Sequence, residues 1–143
     1  MKIVKIRFAD NRMYGTTDDG RELWQSLWYY RRLLHATPEQ RERYTFDEYG
    51  IRWEEIDEDV SFDSFEYDNP EPSELSKCFV LHDELNVSAV ARKMGIRQSL
   101  LASYIKGTKT PSIKGTKTPS EARKAEILNT IHEIGRSLCN VQF

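Results

Sequence analysis

The stretch that decides the fold of the C-terminal half spans residues 86–107 and reads NVSAVARKMGIRQSLLASYIKG. Asn86 is a good helix N-cap, and the apolar residues after it recur with helical spacing. Gly95 ends that helix, because a tight turn at this position needs a positive φ. A second helix begins near Gln98 and ends at Gly107. The stretch therefore predicts two short helices joined by a tight turn.

The second predicted helix has polar residues at its start and apolar residues behind them. Arg97, Gln98 and Ser99 occupy its first turn, whereas Leu101 and Tyr104 face inward. A recognition helix in the DNA major groove needs this layout, with glutamine and serine reaching base edges and basic residues reaching phosphates. The candidate DNA-contacting residues are Arg97, Gln98, Ser99, Ser103, Lys106 and Lys109.

Charge is divided unevenly along the chain, whose net charge is −2. Residues 1–76 contain 10 Lys/Arg and 18 Asp/Glu, which gives −8, and residues 77–143 contain 11 and 5, which gives +6. A polyanion such as nucleic acid is the natural partner of the basic half. A helical bundle that binds only protein is the alternative. Nine Lys/Arg against one acid in residues 92–124 favour DNA.

Residues 85–107, followed by KTPS at 109–112, resemble the lambda-repressor-type helix-turn-helix family of phage repressors. The resemblance implies a compact helical bundle that usually binds DNA as a dimer. It also implies that Gln98, Ser99 and Ser103 face the bases and that Arg97 faces the DNA backbone.

A tandem duplication follows the second helix. The octapeptide IKGTKTPS at residues 105–112 recurs unchanged at 113–120. Two copies are too few to stack into a repeat architecture. The duplication therefore predicts an extended basic loop that contains Lys109.

The first half combines strand and helix signals. Residues 3–8 are rich in β-branched and aromatic residues, and turn signals at 10–11 and 18–20 predict a run of antiparallel strands. Thr37-Pro38-Glu39-Gln40 is a capping-box helix start. We therefore expect an α+β fold class. A small domain with an antiparallel sheet and short helices is predicted for residues 1–68, a proline-containing linker next, and an all-α helix-turn-helix domain for residues 73–143.

Three segments of the first half carry a second resemblance. LLHATPEQR at residues 33–41, GIRW at 50–53 and IDEDVS at 56–61 are similar to the bacterial domain-of-unknown-function family 2442. The resemblance covers most of residues 1–65 and implies a small α+β domain. Such domains often accompany a small partner in paired, toxin–antitoxin-like gene arrangements. The family supplies no catalytic residues.

The first half also contains an acidic run, with ten acidic residues and no Lys or Arg in residues 54–74. We consider Asp57, Glu58 and Asp59 candidate partner-binding residues. A solvated edge, a surface for the protein's own basic half, and a divalent-cation site built on Asp57 and Asp59 are the alternatives. A zinc site is a further, less favoured alternative, and it would use Cys78, His82, His132 and Cys139. We expect no cofactor and no metal.

Together these patterns predict a sequence-specific DNA-binding transcriptional regulator of a paired toxin–antitoxin-like operon, acting as a homodimer. The alternative is an adaptor or antitoxin that holds a small protein partner, with DNA binding secondary or lost. No nucleophile or base accompanies the carboxylates, so an enzyme is not expected. With no long apolar run and no signal peptide, we expect a cytoplasmic protein without a membrane partner.

Overall fold

The structure is a computed structural model, and it describes residues 1–68, 71–106 and 119–143. The described residues form two compact units, one comprising 1–68 with 71–73 and the other comprising 74–106 with 119–143. The fold class is α+β, as predicted, with antiparallel sheets and several helices. Lys109 and the predicted extended loop lie outside the described residues.

The first unit contains two three-stranded antiparallel sheets, with strand orders β1-β2-β3 and β4-β5-β6. Its elements are β1 (Ile3–Ala9), β2 (Arg12–Thr17), β3 (Glu22–Ser26), α1 (Arg31–Leu34), α2 (Pro38–Arg41), β4 (Thr45–Phe46), β5 (Gly50–Trp53) and β6 (Glu58–Ser61). Short 3-10 helices occupy Leu27–Tyr29 and Phe62–Glu66. The single sheet expected from the sequence is therefore two sheets, because helical turns interrupt the chain between β3 and β4.

The local signals in the first unit form the structures that they predict. Asp10 and Asn11 both have positive φ, 53° and 57°, as a two-residue hairpin turn between β1 and β2 requires. Thr37 Oγ1 accepts a hydrogen bond from the Gln40 amide at 3.1 Å, and the Gln40 side chain accepts one from the Thr37 amide at 2.9 Å. The predicted capping box is confirmed.

One hydrophobic core holds both sheets together. Its buried side chains are Ile3, Ile6, Met13, Leu27, Leu33, Ile51, Trp53, Val60, Phe62 and Phe65. The fully buried Trp53 donates its indole N–H to the Arg41 carbonyl at 2.9 Å. Gln25 is also fully buried, and it donates to Ser64 Oγ at 2.8 Å and accepts from the Tyr30 hydroxyl at 2.6 Å. The polar groups in this core are therefore paired.

The second unit contains only helices among its described residues. These are α3 (Glu74–Leu81), α4 (Val87–Met94), α5 (Gln98–Ile105) and α6 (Glu121–Cys139). Their buried apolar core consists of Val90, Ala91, Leu101 and Ile127, with half-buried side chains around it.

Helix α3 is short. It ends at Leu81, which is 54% exposed, and a turn at Asp83 and Glu84 separates it from Leu85.

Candidate nucleic-acid interface

Helix α4 and the turn after it have the capping geometry that the sequence predicts. Asn86 Oδ1 accepts a hydrogen bond from the Ala89 amide at 3.0 Å and caps the start of α4. Gly95 ends the helix with φ 74°, in the left-handed region. The Gly95 and Ile96 amides donate to the carbonyls of Arg92 and Ala91 at 3.1 and 3.0 Å. Since the turn needs a positive φ, glycine is the residue with the lowest strain there.

The helices that position the start of α5 pack through small and branched side chains. Ala91 of α4 is 1% exposed and Leu101 of α5 is completely buried, and both belong to one cluster with Ile127 of α6. The other end of α5 is attached to α3, because the buried Ser76 hydroxyl donates to the Ile105 carbonyl. Helix α5 is therefore held at its middle and at its C-terminal end.

The first turn of α5 is exposed and polar. Arg97 is the N-cap residue, with extended backbone and no side-chain capping bond, and Gln98 and Ser99 follow it. The first turn contains no acidic residue. A cation beside the positive end of a helix dipole is unfavourable unless an anion lies nearby. The start of α5 thus combines exposed donors with an uncompensated positive charge.

The remaining predicted DNA-contacting residues differ in accessibility. Ser103 is half-buried, and its hydroxyl donates to the Leu100 carbonyl at 2.6 Å. The Ser103 oxygen can therefore accept a hydrogen bond from DNA, but the hydroxyl hydrogen is already donated to the Leu100 carbonyl. Lys106 is exposed at the C-cap of α5. Lys109 lies outside the described residues.

The basic side chains divide into paired and unpaired groups. On α6, Arg123 pairs with Glu126 at 3.0 Å and Lys124 pairs with Glu121 at 3.1 Å. Within the described parts of the chain, no carboxylate forms an ion pair with Lys93, Arg97 or Lys106. The cations next to the α4–α5 turn are therefore free to meet phosphates.

Two of the acidic candidates of the first unit, Asp57 and Asp59, pair with an arginine that the sequence analysis missed. Arg52 donates to Asp57 and Asp59 at 2.8 Å each and to Glu54 at 3.1 Å. The hydrogen bond from Arg52 lowers the pKa of Asp57, whereas burial raises the pKa of Glu58. The hairpin register, which places Arg52 opposite Asp59, is the signal that could have identified this arginine.

The two metal-site alternatives receive no support from this geometry, whereas the exposure of Asp57 and Asp59, 75% and 71%, is compatible with a solvated edge. Asp57 and Asp59 share a guanidinium rather than an open cation site. Among the described residues, no group of three or more His, Cys, Asp or Glu side chains is arranged to hold a metal ion. In the same part of the chain, no helix is both long enough and apolar enough to cross a membrane.

Comparison with known proteins gives one family match, which lies in the first half of the chain. Residues 3–71 match the family described as "Protein of unknown function (DUF2442)". The match supports the resemblance drawn from residues 33–61, and it extends over nearly the whole first unit. No curated protein and no solved structure gives a significant match to the chain.

Proposed function

We propose that this chain is a sequence-specific DNA-binding transcriptional regulator, with the lambda-repressor-type helix-turn-helix formed by α4, the turn and α5. The observation that carries the proposal is the exposed polar start of α5. Arg97, Gln98 and Ser99 are accessible there, whereas Leu101 one turn later is completely buried. A helix presented in this way fits the major groove of B-DNA.

Each exposed group has a role that follows from its chemistry. The Gln98 amide can form two hydrogen bonds with adenine, and the Ser99 hydroxyl can donate to or accept from a base edge. Arg97, Lys93 and Lys106 supply the phosphate contacts, since none of them is neutralised by a described carboxylate. Ser103 contributes at most an acceptor, because its hydrogen is bonded to the Leu100 carbonyl.

We infer that the regulator acts as a homodimer through α6. Leu128 and Leu138 on this helix are 52% and 63% exposed, although both belong to the apolar stripe of the helix. A shallow groove on the same helix is lined by residues that include Ile131, Gly135 and Cys139, and a side chain added at Gly135 would meet nothing within 4 Å. A second copy of α6 packed there would cover apolar surface and set two half-sites about one helical turn of DNA apart.

The acidic half favours a second candidate function. Residues 1–76 have a net charge of −8, which favours a basic protein partner. In this view the chain is an adaptor or antitoxin that holds a small partner protein, and DNA binding is secondary. Both functions suit a paired, toxin–antitoxin-like operon in which a partner modulates the regulator.

Fluorescence anisotropy tests the DNA-binding proposal. The purified chain is titrated with the DNA upstream of its own gene and with a scrambled duplex, over a salt series. We expect tighter binding to the upstream duplex and a steep fall in affinity with salt. Gln98→Ala should weaken specific binding by about 1–3 kcal/mol and leave binding to the scrambled duplex unchanged. Asn129→Ala, on the exposed face of α6, is the matched control.

Arg97→Gln separates phosphate contacts from base reading. We expect this variant to weaken binding to both duplexes alike. The slope of log affinity against log salt concentration should fall by about one. Equal, weak binding to both duplexes, or no binding at all, would contradict the DNA-binding proposal and leave the partner-binding function.

A further inference from the structure

The tip of the β4–β5 hairpin, residues 47–50, presents an aromatic side chain to solvent. Tyr49 is 75% exposed, and the backbone beneath it is held firmly. The Asp47 carboxylate accepts hydrogen bonds from the Tyr49 and Gly50 amides at 2.7 and 2.8 Å. The Tyr49 carbonyl accepts one from the Phe62 amide at 2.9 Å. The ring is therefore displayed on a fixed turn, so little backbone conformational entropy remains to be lost on binding.

An open groove lies between this turn and β6. Tyr49 and Gly50 line one side, and Asp59 and Ser61 line the other. The walls are close because Gly50 approaches the Val60 carbonyl so nearly that a side chain there would lie 2.3 Å from it. The groove measures about 210 Å³, which suits one side-chain head group rather than a large ligand.

The surroundings of the groove are negatively charged. Asp47 and Glu48 lie on the turn, and Asp59 lies on the facing strand. Asp59 shares the guanidinium of Arg52 with Asp57 and Glu54. Five carboxylates thus accompany the guanidinium groups of Arg52 and of Arg32, which donates to the Asp57 carbonyl at 2.8 Å. The side chains of Asp57 and Asp59 remain 75% and 71% exposed. A cation entering the groove would meet an aromatic face together with the exposed carboxylate of Asp59, of which Arg52 is bonded to Oδ2.

We propose that this groove docks an arginine side chain from a basic segment of a partner protein. The guanidinium would lie over the Tyr49 ring and donate to the Asp59 carboxylate, a combination of cation–π and charge-assisted bonding that suits arginine. Nucleic acid does not fit this groove, because its phosphates are negatively charged and the surface around the groove is negatively charged as well. The inference rests on the partner-binding candidate function and names its contact surface, and it is independent of DNA binding.

A titration of the full-length, ¹⁵N-labelled chain with a capped Gly-Arg-Gly-Arg-Gly peptide tests the proposal. We expect saturable amide shifts at Tyr49, Gly50 and Ser61. The same peptide with citrulline, which keeps the shape of arginine without its charge, should bind at least about ten-fold more weakly.

Variants at the exposed ring isolate the cation–π contact. Tyr49→Leu keeps an apolar side chain but removes the ring, and it should weaken binding of the arginine peptide about two- to five-fold. Glu39→Gln, which removes an exposed carboxylate on α2, is the control and should change nothing.

Three results would overturn the site. Shifts that never saturate and spread over the acidic surface indicate general charge attraction. An unchanged affinity in Tyr49→Leu removes the aromatic contact. Saturable binding elsewhere on the first unit excludes this groove but keeps the partner-binding function, whereas no saturable binding on that unit removes both.

Discussion

The two units differ in how much apolar surface they bury. The first unit buries ten apolar side chains in one cluster, whereas the described part of the second buries four. The second unit also leaves Leu128 and Leu138 more than half exposed. A small core leaves little margin of stability, and exposed apolar side chains gain from being covered. The first unit thus has the larger core, whereas the second exposes apolar side chains that association would cover.

Both units satisfy buried polar groups through contacts between distant residues, but the first unit has the larger network. In the first unit, Gln25 is paired with Ser64, 39 residues away, and with Tyr30. In the second, the buried Ser76 hydroxyl donates to the Ile105 carbonyl, 29 residues away, whereas the buried Thr130 hydroxyl donates to the Glu126 carbonyl one turn earlier. Long-range polar contacts specify one arrangement of distant elements, while local ones only complete a helix.

The largest expected effect follows from removing the centre of the smaller core. Leu101→Ala should lower the free energy of unfolding of the second unit by about 2–5 kcal/mol, because it leaves a cavity among three helices. All three tryptophans lie in the first unit, so tryptophan fluorescence reports that unit while helical circular dichroism reports mainly the second. We expect the dichroism transition to shift and the fluorescence transition to stay in place.

The exposed Leu81 of α3 provides the control for this comparison, since Leu81→Ala should lower the free energy of unfolding by less than about 1 kcal/mol. If Leu101→Ala shifts both transitions equally, the units unfold as one and the contrast between them fails.

A middle-sized effect concerns the polar network of the first unit. Burial raises the pKa of Tyr30 to about 12, above its ordinary value of 10.0. The folded state therefore favours the protonated phenol. The protonated Tyr30 phenol contributes about 2–3 kcal/mol to the free energy of unfolding, for a pKa difference of about two between the folded and unfolded states. This contribution is fully present below about pH 10 and is lost as the pH rises through about 12.

Urea unfolding between pH 8 and pH 11, followed by tryptophan fluorescence, measures this loss. In Tyr30→Phe the decline above pH 10 should be shallower, while stability at pH 8 falls because Gln25 loses a hydrogen-bond donor. An equally steep decline in the variant would show that Tyr30 is not the titrating group.

The smallest effect compares two glycines of the second unit. Gly95→Ala places a side chain at φ 74° and should destabilise the unit by about 1 kcal/mol. Gly135→Ala, in the interior of α6 with open space around it, should stabilise the helix by about 0.5–1 kcal/mol. Thermal melts of both variants measure the difference, and the reverse order would contradict these conformations. Weaker dimerisation of Gly135→Ala in ultracentrifugation would sharpen the assignment of α6 as the dimer contact.

Features that depend on neighbouring residues could be predicted from the sequence. The Thr37 capping box, the Asn86 cap and the Gly95 turn all form as expected. Each rests on hydrogen bonds between residues at most five positions apart, so the responsible residue types appear together in the sequence. The exposed start of α5 follows from the same local pattern. The DNA-contacting roles of its residues stay a prediction.

Features that join distant residues could not be predicted in this way. The separation into two sheets, the 3-10 helix at Phe62–Glu66 and the pairing of Gln25 with Ser64 all depend on contacts across the core. The sharing of Arg52 by three carboxylates needs the β5–β6 register, and the exposure of Tyr49 needs the packed turn beneath it. Helical spacing, capping residues and charge thus determined where the elements lie and which half is basic. Only tertiary packing decided which apolar and charged side chains are covered, because burial is a property of the whole fold and not of a residue's neighbours in sequence.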